Sequence, residues 1–372
     1  MTLPVKDQMN RRRWTLWTAA ILLAACLAVG LLDAYRRWHD VGAKTRDAVL
    51  SIMPPDASAV LFIDFEELRG APFAVELYNW IPKSQADAEY AQFLRETGFD
   101  YERDLDRAAI AVIKGEKESK LFAVAEGRFD RAKIEAYVSQ SGTRENRGAR
   151  EIFSVPLSGS ARRISFVFLS KERVALADAE NLAGLLAPSP NSADLREWRE
   201  RFARLAGSPV FAVIRQDAGA GSALAAQTPG GFQSPQLSAL LDQLQWITLA
   251  GKPQDKALRI VAEGECSSEQ TARQLADLLN GVLILAQAGL SGPKTRQQLD
   301  PRIRDAYLEL IKGADVSRLD RGETKSVRVV FDITPKLLAA ATVAVPTAPA
   351  PTIPPTRKGP AGKAGAQKAS KN

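Results

Sequence analysis

Clustered carboxylates are the first feature of this chain that could do chemistry. Acidic residues alternate along the stretch FDYERDLD, at Asp100, Glu102, Asp104 and Asp106. Because calcium prefers carboxylate oxygens as ligands, a cation-binding loop is one interpretation of this stretch. The EF-hand version of such a loop requires a glycine where Leu105 stands, so that version is excluded. The other interpretation is a solvated connection that precedes a strand.

Two further glutamates stand in identical surroundings. Glu126 and Glu263 each belong to the sequence VAEG, and Glu265 follows closely on the second of them. Paired carboxylates act as acid and base in glycoside hydrolysis, so a catalytic pair is one hypothesis. Isolated glutamates are usually exposed to water. We therefore favour the interpretation that both glutamates lie at the solvent-facing ends of strands.

Other catalytic groups are scarce. His39 is the only histidine, and it lies close to the N-terminal apolar segment described below, so the Ser-His, Cys-His and His-zinc arrangements are excluded from the rest of the chain. The sequence contains neither a P-loop nor a dinucleotide-binding glycine pattern. A serine–lysine hydrolase needs no histidine, but spacing singles out no such pair. The sequence therefore predicts no catalytic, cofactor-binding or metal-binding residue, and no cofactor.

The net charge of +7 is concentrated at the two ends of the chain. The first 50 residues and the tail after residue 345 are both basic, which leaves the region between them slightly acidic. A nucleic-acid-binding protein carries its positive charge on the folded part. This distribution therefore argues against a nucleic-acid partner.

One apolar segment determines where the protein resides. Residues 14–32 contain no charged residue and no proline, and about 20 apolar residues suffice to cross a bilayer as a helix. Three arginines at positions 11–13 precede this segment, which predicts that residues 1–13 are cytoplasmic. We therefore expect a single-pass inner-membrane protein with an extracytoplasmic C-terminal body.

A lipoprotein signal is the alternative interpretation of the same segment. The sequence LAAC at positions 23–26 has the form of a lipobox, with Cys26 as the residue that would receive the lipid. The chain stays apolar for six residues after this cysteine, which favours an uncleaved anchor. Both interpretations attach the body to a membrane.

The segments that flank the body have their own character. Residues 33–53 end before two prolines and predict a helical stalk. Small residues at four-residue spacing in the anchor, together with a short heptad pattern in the stalk, make the two segments a candidate homodimer interface. These positions are Ala20, Ala24, Ala28, Trp38, Val41, Thr45, Ala48 and Ile52. The Pro/Ala/Lys-rich tail, residues 346–372, cannot bury enough apolar surface to fold and is expected to be disordered.

The sequence of the body predicts an α+β fold with mainly antiparallel sheets and with helices packed on one face. Two halves are expected, over residues 54–190 and 191–345. Apolar runs predict strands at residues 59–63, 108–113, 121–125, 152–155, 164–169, 174–177, 210–214, 246–250, 258–262 and 327–333. Helical spacing and capping residues predict helices within 68–98, with a break at Pro82, and at 131–140, 180–186, 192–206, 237–244, 269–288 and 301–312.

An internal repeat connects the two halves. The hairpins predicted over residues 105–127 and 241–264 both end in VAEG, and each is followed by a helix. An apolar strand and a helical stretch precede each hairpin. This shared order predicts that the two halves arose by duplication.

The opening of the body resembles a known group of proteins. The segment PPDASAVLFID at positions 54–64, followed by Leu68 and Pro72, is similar to the opening of an uncharacterised family of membrane-anchored bacterial envelope proteins. The resemblance implies a location in the cell envelope. It implies no activity and no functional residues.

The sequence thus predicts a membrane-anchored binding or scaffold protein whose partner is an envelope protein or a lipid. The alternatives are a His-independent envelope hydrolase and a periplasmic carrier of an apolar ligand. A hollow apolar pocket would favour the carrier, and a serine beside a lysine or a tight carboxylate cluster would favour the enzyme. A filled core with an exposed apolar patch would favour protein binding.

Overall fold

The computed structural model describes residues 46–80, 88–115, 119–147, 150–156, 163–177, 182–186, 192–216 and 239–344. The predicted anchor, the first part of the stalk with His39, and the tail lie outside these residues. Within the part of the chain that is described, no helix combines the length and the apolar character that a membrane crossing requires.

Every neighbouring pair of strands in the described residues is antiparallel, and all the strands belong to one sheet. Their order across the sheet is β11-β12-β10-β9-β8-β1-β2-β3-β7-β6-β5-β4. The strands are β1 (Ala57–Asp64), β2 (Leu105–Ile113), β3 (Lys120–Gly127), β4 (Thr143–Arg147), β5 (Arg150–Pro156), β6 (Arg163–Phe168), β7 (Arg173–Ala177), β8 (Val210–Arg215), β9 (Leu244–Gln254), β10 (Ala257–Cys266), β11 (Asp315–Arg321) and β12 (Thr324–Ile333).

Helices connect and cover these strands. They are α1 (46–50), α2 (Phe65–Arg69), α3 (Pro72–Trp80), α4 (Ala88–Thr97), α5 (Tyr101–Asp104), α6 (Arg131–Ser141), α7 (Leu182–Leu185), α8 (Ser192–Arg204), α9 (Glu269–Ser291), α10 (Pro293–Gln298), α11 (Pro301–Gly313) and α12 (Pro335–Ala344). The mixed fold of helices and antiparallel sheet agrees with the expected class.

The two predicted halves share this sheet instead of forming separate ones. Strand β1 pairs with β2 on one side and with β8 on the other, so it joins the halves. Phe62 of β1 lies opposite Phe211 of β8, and their rings stack with centroids 5.0 Å apart. The expectation of more than one sheet is corrected by this pairing, which we call the β1–β8 seam.

Helices cover both faces of the sheet, so the prediction of helices on one face was wrong. Side chains alternate between the faces of a strand, and neighbouring residues such as Ile152 and Phe153 are both buried. Face A, which carries Phe62, packs against α1 and α8. Face B, which carries Phe153, packs against α6 in the first half and is continuous with the face that α9 covers in the second.

The last part of the predicted stalk belongs to the body. Helix α1 buries Val49 and Leu50 in the core of face A, and Met53 follows them. These residues lie off the heptad pattern that was predicted for a homodimer. Ile52, which belongs to that pattern, also packs partly against this core, so the end of the stalk contacts the body with residues both on and off the predicted dimer seam.

Local sequence signals located most elements but missed five. Asp130 and Asp300 cap α6 and α11 as predicted, by accepting bonds from the backbone N–H groups of Lys133 and Arg302. Strands β4 and β11 and helices α5, α10 and α12 were not predicted. The strand β4 is exposed throughout, so it shows no apolar alternation. The predicted helix at 237–244 also extends too far, since Leu244 begins β9.

Candidate functional site

The acidic run before β2 does not converge on one point. Asp100 accepts a bond from the backbone of Glu102 at the start of α5, at 3.0 Å. Hydrogen bonds from Arg103 hold the pKa of Asp104 below its usual value, despite partial burial. Asp106 pairs instead with Arg69, at 2.9 Å. Within the described residues, no cluster of three or more His, Cys, Asp or Glu side chains is arranged to hold a metal ion.

Glu126 is buried, so the prediction that it faces solvent was wrong. Its side chain is only 10% exposed and accepts bonds from Arg107 at 3.2 Å and Arg173 at 2.9 Å. Arg107 also pairs with Asp64 at 3.0 Å and with Glu66 at 2.7 Å. The first half therefore contains a buried ionic cluster on face A.

Glu263 is buried in the same manner, and the same correction applies. Its carboxylate accepts bonds from Arg321 and from the Ser326 hydroxyl, the latter at 2.9 Å, and Arg328 lies 3.4 Å away. Burial alone would raise the pKa of Glu263, but the bonds from Arg321 and Ser326 outweigh it and lower the pKa. Glu263 is thus held as a carboxylate inside a set of donors.

Glu265 completes this second cluster. It is 2% exposed and pairs with Arg201 and Arg204 of α8. The Arg201 guanidinium lies 3.9 Å from the ring centroid of Trp246, which is within cation–π range. The sequence predicts a helix at 192–206 but does not single out Arg201 within it. Arg201 stands three positions after Trp198 and therefore shares its side of the helix.

The two VAEG sequences occupy matching positions in the sheet. Glu126 lies directly opposite Arg173 of the next strand, and Glu263 lies directly opposite Arg328. The glycine that follows Glu126 is required by close packing, because a Cβ on Gly127 would lie 2.3 Å from the backbone oxygen of Asp104. The motif therefore marks a buried glutamate with an arginine across from it.

An apolar cavity lies on face B of the first half, between helices α4 and α6 and strands β5 to β7. Its volume is about 440 Å³, and its exposed lining is entirely apolar. Aromatic rings form much of the wall: Phe99 and Phe129 stack at 5.1 Å, and Phe93 meets Tyr137 edge-on at 5.3 Å. The lining residues are Phe93, Phe99, Leu105, Ala125, Phe129, Ile134, Tyr137, Val138, Val155, Pro156, Ile164, Phe166, Phe168, Val174 and Leu176.

One arginine stands at the edge of this apolar pocket. The Arg131 guanidinium lies 5.2 Å from the ring centroid of Phe168, which is part of the lining. Arg131 also pairs with Glu135 at 2.5 Å and with Glu151 at 3.5 Å. Its side chain is half exposed, and both of its ionic contacts are with carboxylates, so its charge is compensated beside the pocket.

The remaining reactive groups have structural partners. The hydroxyls of Ser154 and Ser165 bond each other at 2.8 Å. Burial raises the pKa of the Cys266 thiol to about 11, which suppresses the reactive thiolate. Among the described serines, hydroxyl bonds join backbone carbonyl or N–H groups, other hydroxyls or Glu263, and none joins a lysine.

Comparison with known proteins provides no family for this chain. No protein family and no curated protein matches its sequence. Crystal form III of TP0453 is similar over 80% of this chain and 98% of the other, with a TM-score of 0.43 and 10% identity. Crystal form IV of TP0453 gives a TM-score of 0.42 and 8% identity over 80% and 96%. Similarity of this size carries no inference about function, and the resemblance to a family of envelope proteins stays a prediction.

Proposed function

We propose that this protein is a membrane-anchored, extracytoplasmic binding protein that holds an apolar ligand in the pocket of its first half. The observation that carries this proposal is the entirely apolar cavity of about 440 Å³. Pockets for small ligands range from roughly 300 to 1,000 Å³ and are mostly apolar. The pocket is open to solvent, and apolar surface in contact with water is unfavourable, so an apolar ligand that displaces this water is favoured.

The lining defines the chemical class of the ligand. The part of the ligand that enters the pocket must be uncharged, because a buried charge without a partner is costly. Arg131 beside Phe168 marks a polar edge, but its charge is paired with Glu135 and Glu151, so the edge selects no particular head group. The lining therefore fits the acyl chain of a lipid. The carrier alternative therefore has the strongest support from the geometry.

A protein partner is the second candidate, and a different feature favours it. Near the C-terminal end of α9, the side chains of Ile284 and Leu285 are 67% and 70% exposed. Contiguous exposed apolar residues often mark interaction surfaces. In a scaffold role, the protein partner would bind to this surface of α9. The apolar pocket would then have a separate function.

We also propose that the two halves arose by duplication. In the first half the strands follow the order β1, β2, β3, β7 and β6, and in the second β8, β9, β10, β12 and β11. The buried glutamate of each VAEG sequence occupies the third strand of its series. The dimer hypothesis for the anchor and stalk stays a prediction.

The location of the body is the first prediction to test. Alkaline phosphatase fused after Pro346 is expected to be active, because the arginines at 11–13 favour a cytoplasmic N-terminus. Enzyme activity in intact cells provides the measurement, and a cytoplasmic reporter at the same position is the control. An inactive phosphatase with an active cytoplasmic reporter would reverse the topology. Incorporation of labelled palmitate that depends on Cys26 would support the lipoprotein alternative.

A substitution that fills the pocket tests the proposed ligand. Ala125→Phe places a ring in the apolar pocket, whereas Ala123→Phe changes the same face of the same strand outside the lining. The full-length protein is placed in nanodiscs that contain a trace of lipid with a photoreactive group on its acyl chain. We expect labelling of the peptide that contains Phe166 and Phe168 in the wild type and in Ala123→Phe, and a several-fold loss in Ala125→Phe.

Two controls make this result decisive. Labelling of residues 14–32 is an internal reference that the pocket substitutions should leave unchanged. Circular dichroism confirms that both variants are folded. Equal labelling of the Phe166 peptide in the two alanine variants, or none in the wild type, would contradict the proposal.

A further inference from the structure

The ionic cluster of the second half carries more positive charge than its own carboxylates neutralise. Within the part of the chain that the structure describes, the only carboxylates that pair with Arg201, Arg204, Arg321 and Arg328 are those of Glu263 and Glu265. We call these six residues the arginine cluster. Two positive charges are therefore in excess on face A, on the side of the sheet opposite to the apolar pocket.

The corresponding cluster of the first half has no such excess. Arg107 and Arg173 meet Glu126 there, and Arg107 is further neutralised by Asp64 and Glu66. The two clusters occupy matching positions in the sheet, so the contrast does not follow from the fold itself. Among these residues, the second half has two arginines in excess of its carboxylates, whereas the first half has one carboxylate in excess of its arginines.

A cavity adjoins the arginine cluster. Its volume is about 230 Å³, and its lining includes Arg204, Arg321, Arg328, the hydroxyl-bearing residues Ser208 and Thr248, and one acidic residue, Glu263. The three arginine side chains remain between 26% and 35% exposed, so solvent and small solutes reach them. The cavity thus presents guanidinium and hydroxyl donors together.

Arg328 is the least satisfied member of the cluster. Its contact with Glu263 is long, at 3.4 Å, and its buried Nε has no hydrogen-bond partner among the residues that the structure describes. Arg321, in contrast, donates two bonds to the same carboxylate. Arg328 therefore carries a positive charge that Glu263 does not fully compensate.

We propose that this cavity binds a phosphate group carried by a small solute or by a lipid head group. A dianionic phosphate matches the excess of two positive charges, and its oxygens accept bonds from the guanidinium forks of arginine. Ser208 and Thr248 add hydroxyl donors at the wall. This site is separate from the apolar pocket, and it stands whether or not that pocket binds a lipid.

The test measures binding of inorganic phosphate to the full-length protein in detergent, by isothermal titration near neutral pH. Sodium chloride at matched ionic strength is the reference anion. We expect saturable binding of phosphate that Arg328→Gln weakens about tenfold or more, the loss typical of one charge-assisted hydrogen bond. Arg318→Gln is the matched control: it removes the same charge from the neighbouring strand β11, at an exposed position on face B.

A second variant guards against a folding defect in the first. Ser208→Glu adds a carboxylate to the cavity wall, where it should take the place of the anion and abolish phosphate binding without loss of thermal stability. Glycerol 3-phosphate, and nanodiscs with and without phosphatidic acid, distinguish a free phosphate from a lipid head group. Absence of phosphate binding to the wild type, binding no stronger than that of chloride, or equal binding to Arg328→Gln and Arg318→Gln would overturn the proposal.

Discussion

Replacing Phe62 with alanine is expected to destabilise the protein by about 3 to 5 kcal/mol, the usual cost of truncating a buried phenylalanine. Phe62 is fully buried at the β1–β8 seam and stacks on Phe211. The guanidinium of Arg46 lies 5.2 Å from its ring centroid. The substitution therefore leaves a cavity at the point where the two halves join.

The effect of Phe62→Ala should spread across both halves. Strand β1 pairs with strands of both halves. Loss of packing at β1 should therefore lower the stability of the neighbouring strands in both halves. Urea unfolding gives the total loss of stability, and hydrogen exchange resolves it by strand. Phe65→Ala, at a partly exposed position on α2, is the matched control and should cost far less. Faster exchange confined to the first half would show that the seam does not couple the halves.

The seam also shows what the sequence could predict and what it could not. The apolar run at 59–63 is a local signal, and it correctly indicated a buried strand. The capping residues Asp130 and Asp300 are local signals as well, since each bonds a backbone N–H within its own helix. The pairing of β1 with β8 is contact between segments far apart in the chain, and no local pattern specifies it.

The candidate sites were harder to predict for the same reason. An isolated glutamate is ordinarily exposed, and Glu263 is buried only because arginines from α8, β11 and β12 converge on it. The shared VAEG motif was the available signal. It identified the two glutamate positions but gave no information about the arginines that pair with them. The apolar pocket forms where residues from several elements meet, and the periodicity of a single helix or strand does not predict such a space. The sequence therefore supported a ligand pocket only as an alternative.

Replacing Glu263 with glutamine is the second change with a large expected effect, a loss of about 3 kcal/mol of stability. Removing one partner of a buried ion pair costs roughly 3 to 5 kcal/mol. We expect a value at the low end of this energy range because the side chains of Arg321 and Arg328 are about one third exposed to solvent. Glutamine keeps one acceptor oxygen but not the negative charge, so both guanidinium groups lose the charge on which they converge, in a cluster that is already positive.

The equivalent change in the first half provides the comparison. After Glu126→Gln, Arg107 keeps its pairs with Asp64 and Glu66, and only the partly exposed Arg173 loses its carboxylate, so we expect a smaller loss, about 1 to 2 kcal/mol. Urea unfolding of both variants, followed by tryptophan fluorescence, measures the difference. Equal losses would show that the surplus charge of the second half has no energetic consequence.

The pH dependence of Glu263→Gln gives an independent readout. The pKa of Glu263 is lowered in the folded protein, so its contribution to stability is complete above its unfolded pKa, about 4.3. That contribution is lost as the pH falls through the folded value. Wild-type stability should therefore decline in acid more steeply than that of Glu263→Gln, and the difference between them should shrink toward low pH. A constant difference across the acid range would mean that the variant loses stability through packing and not through charge.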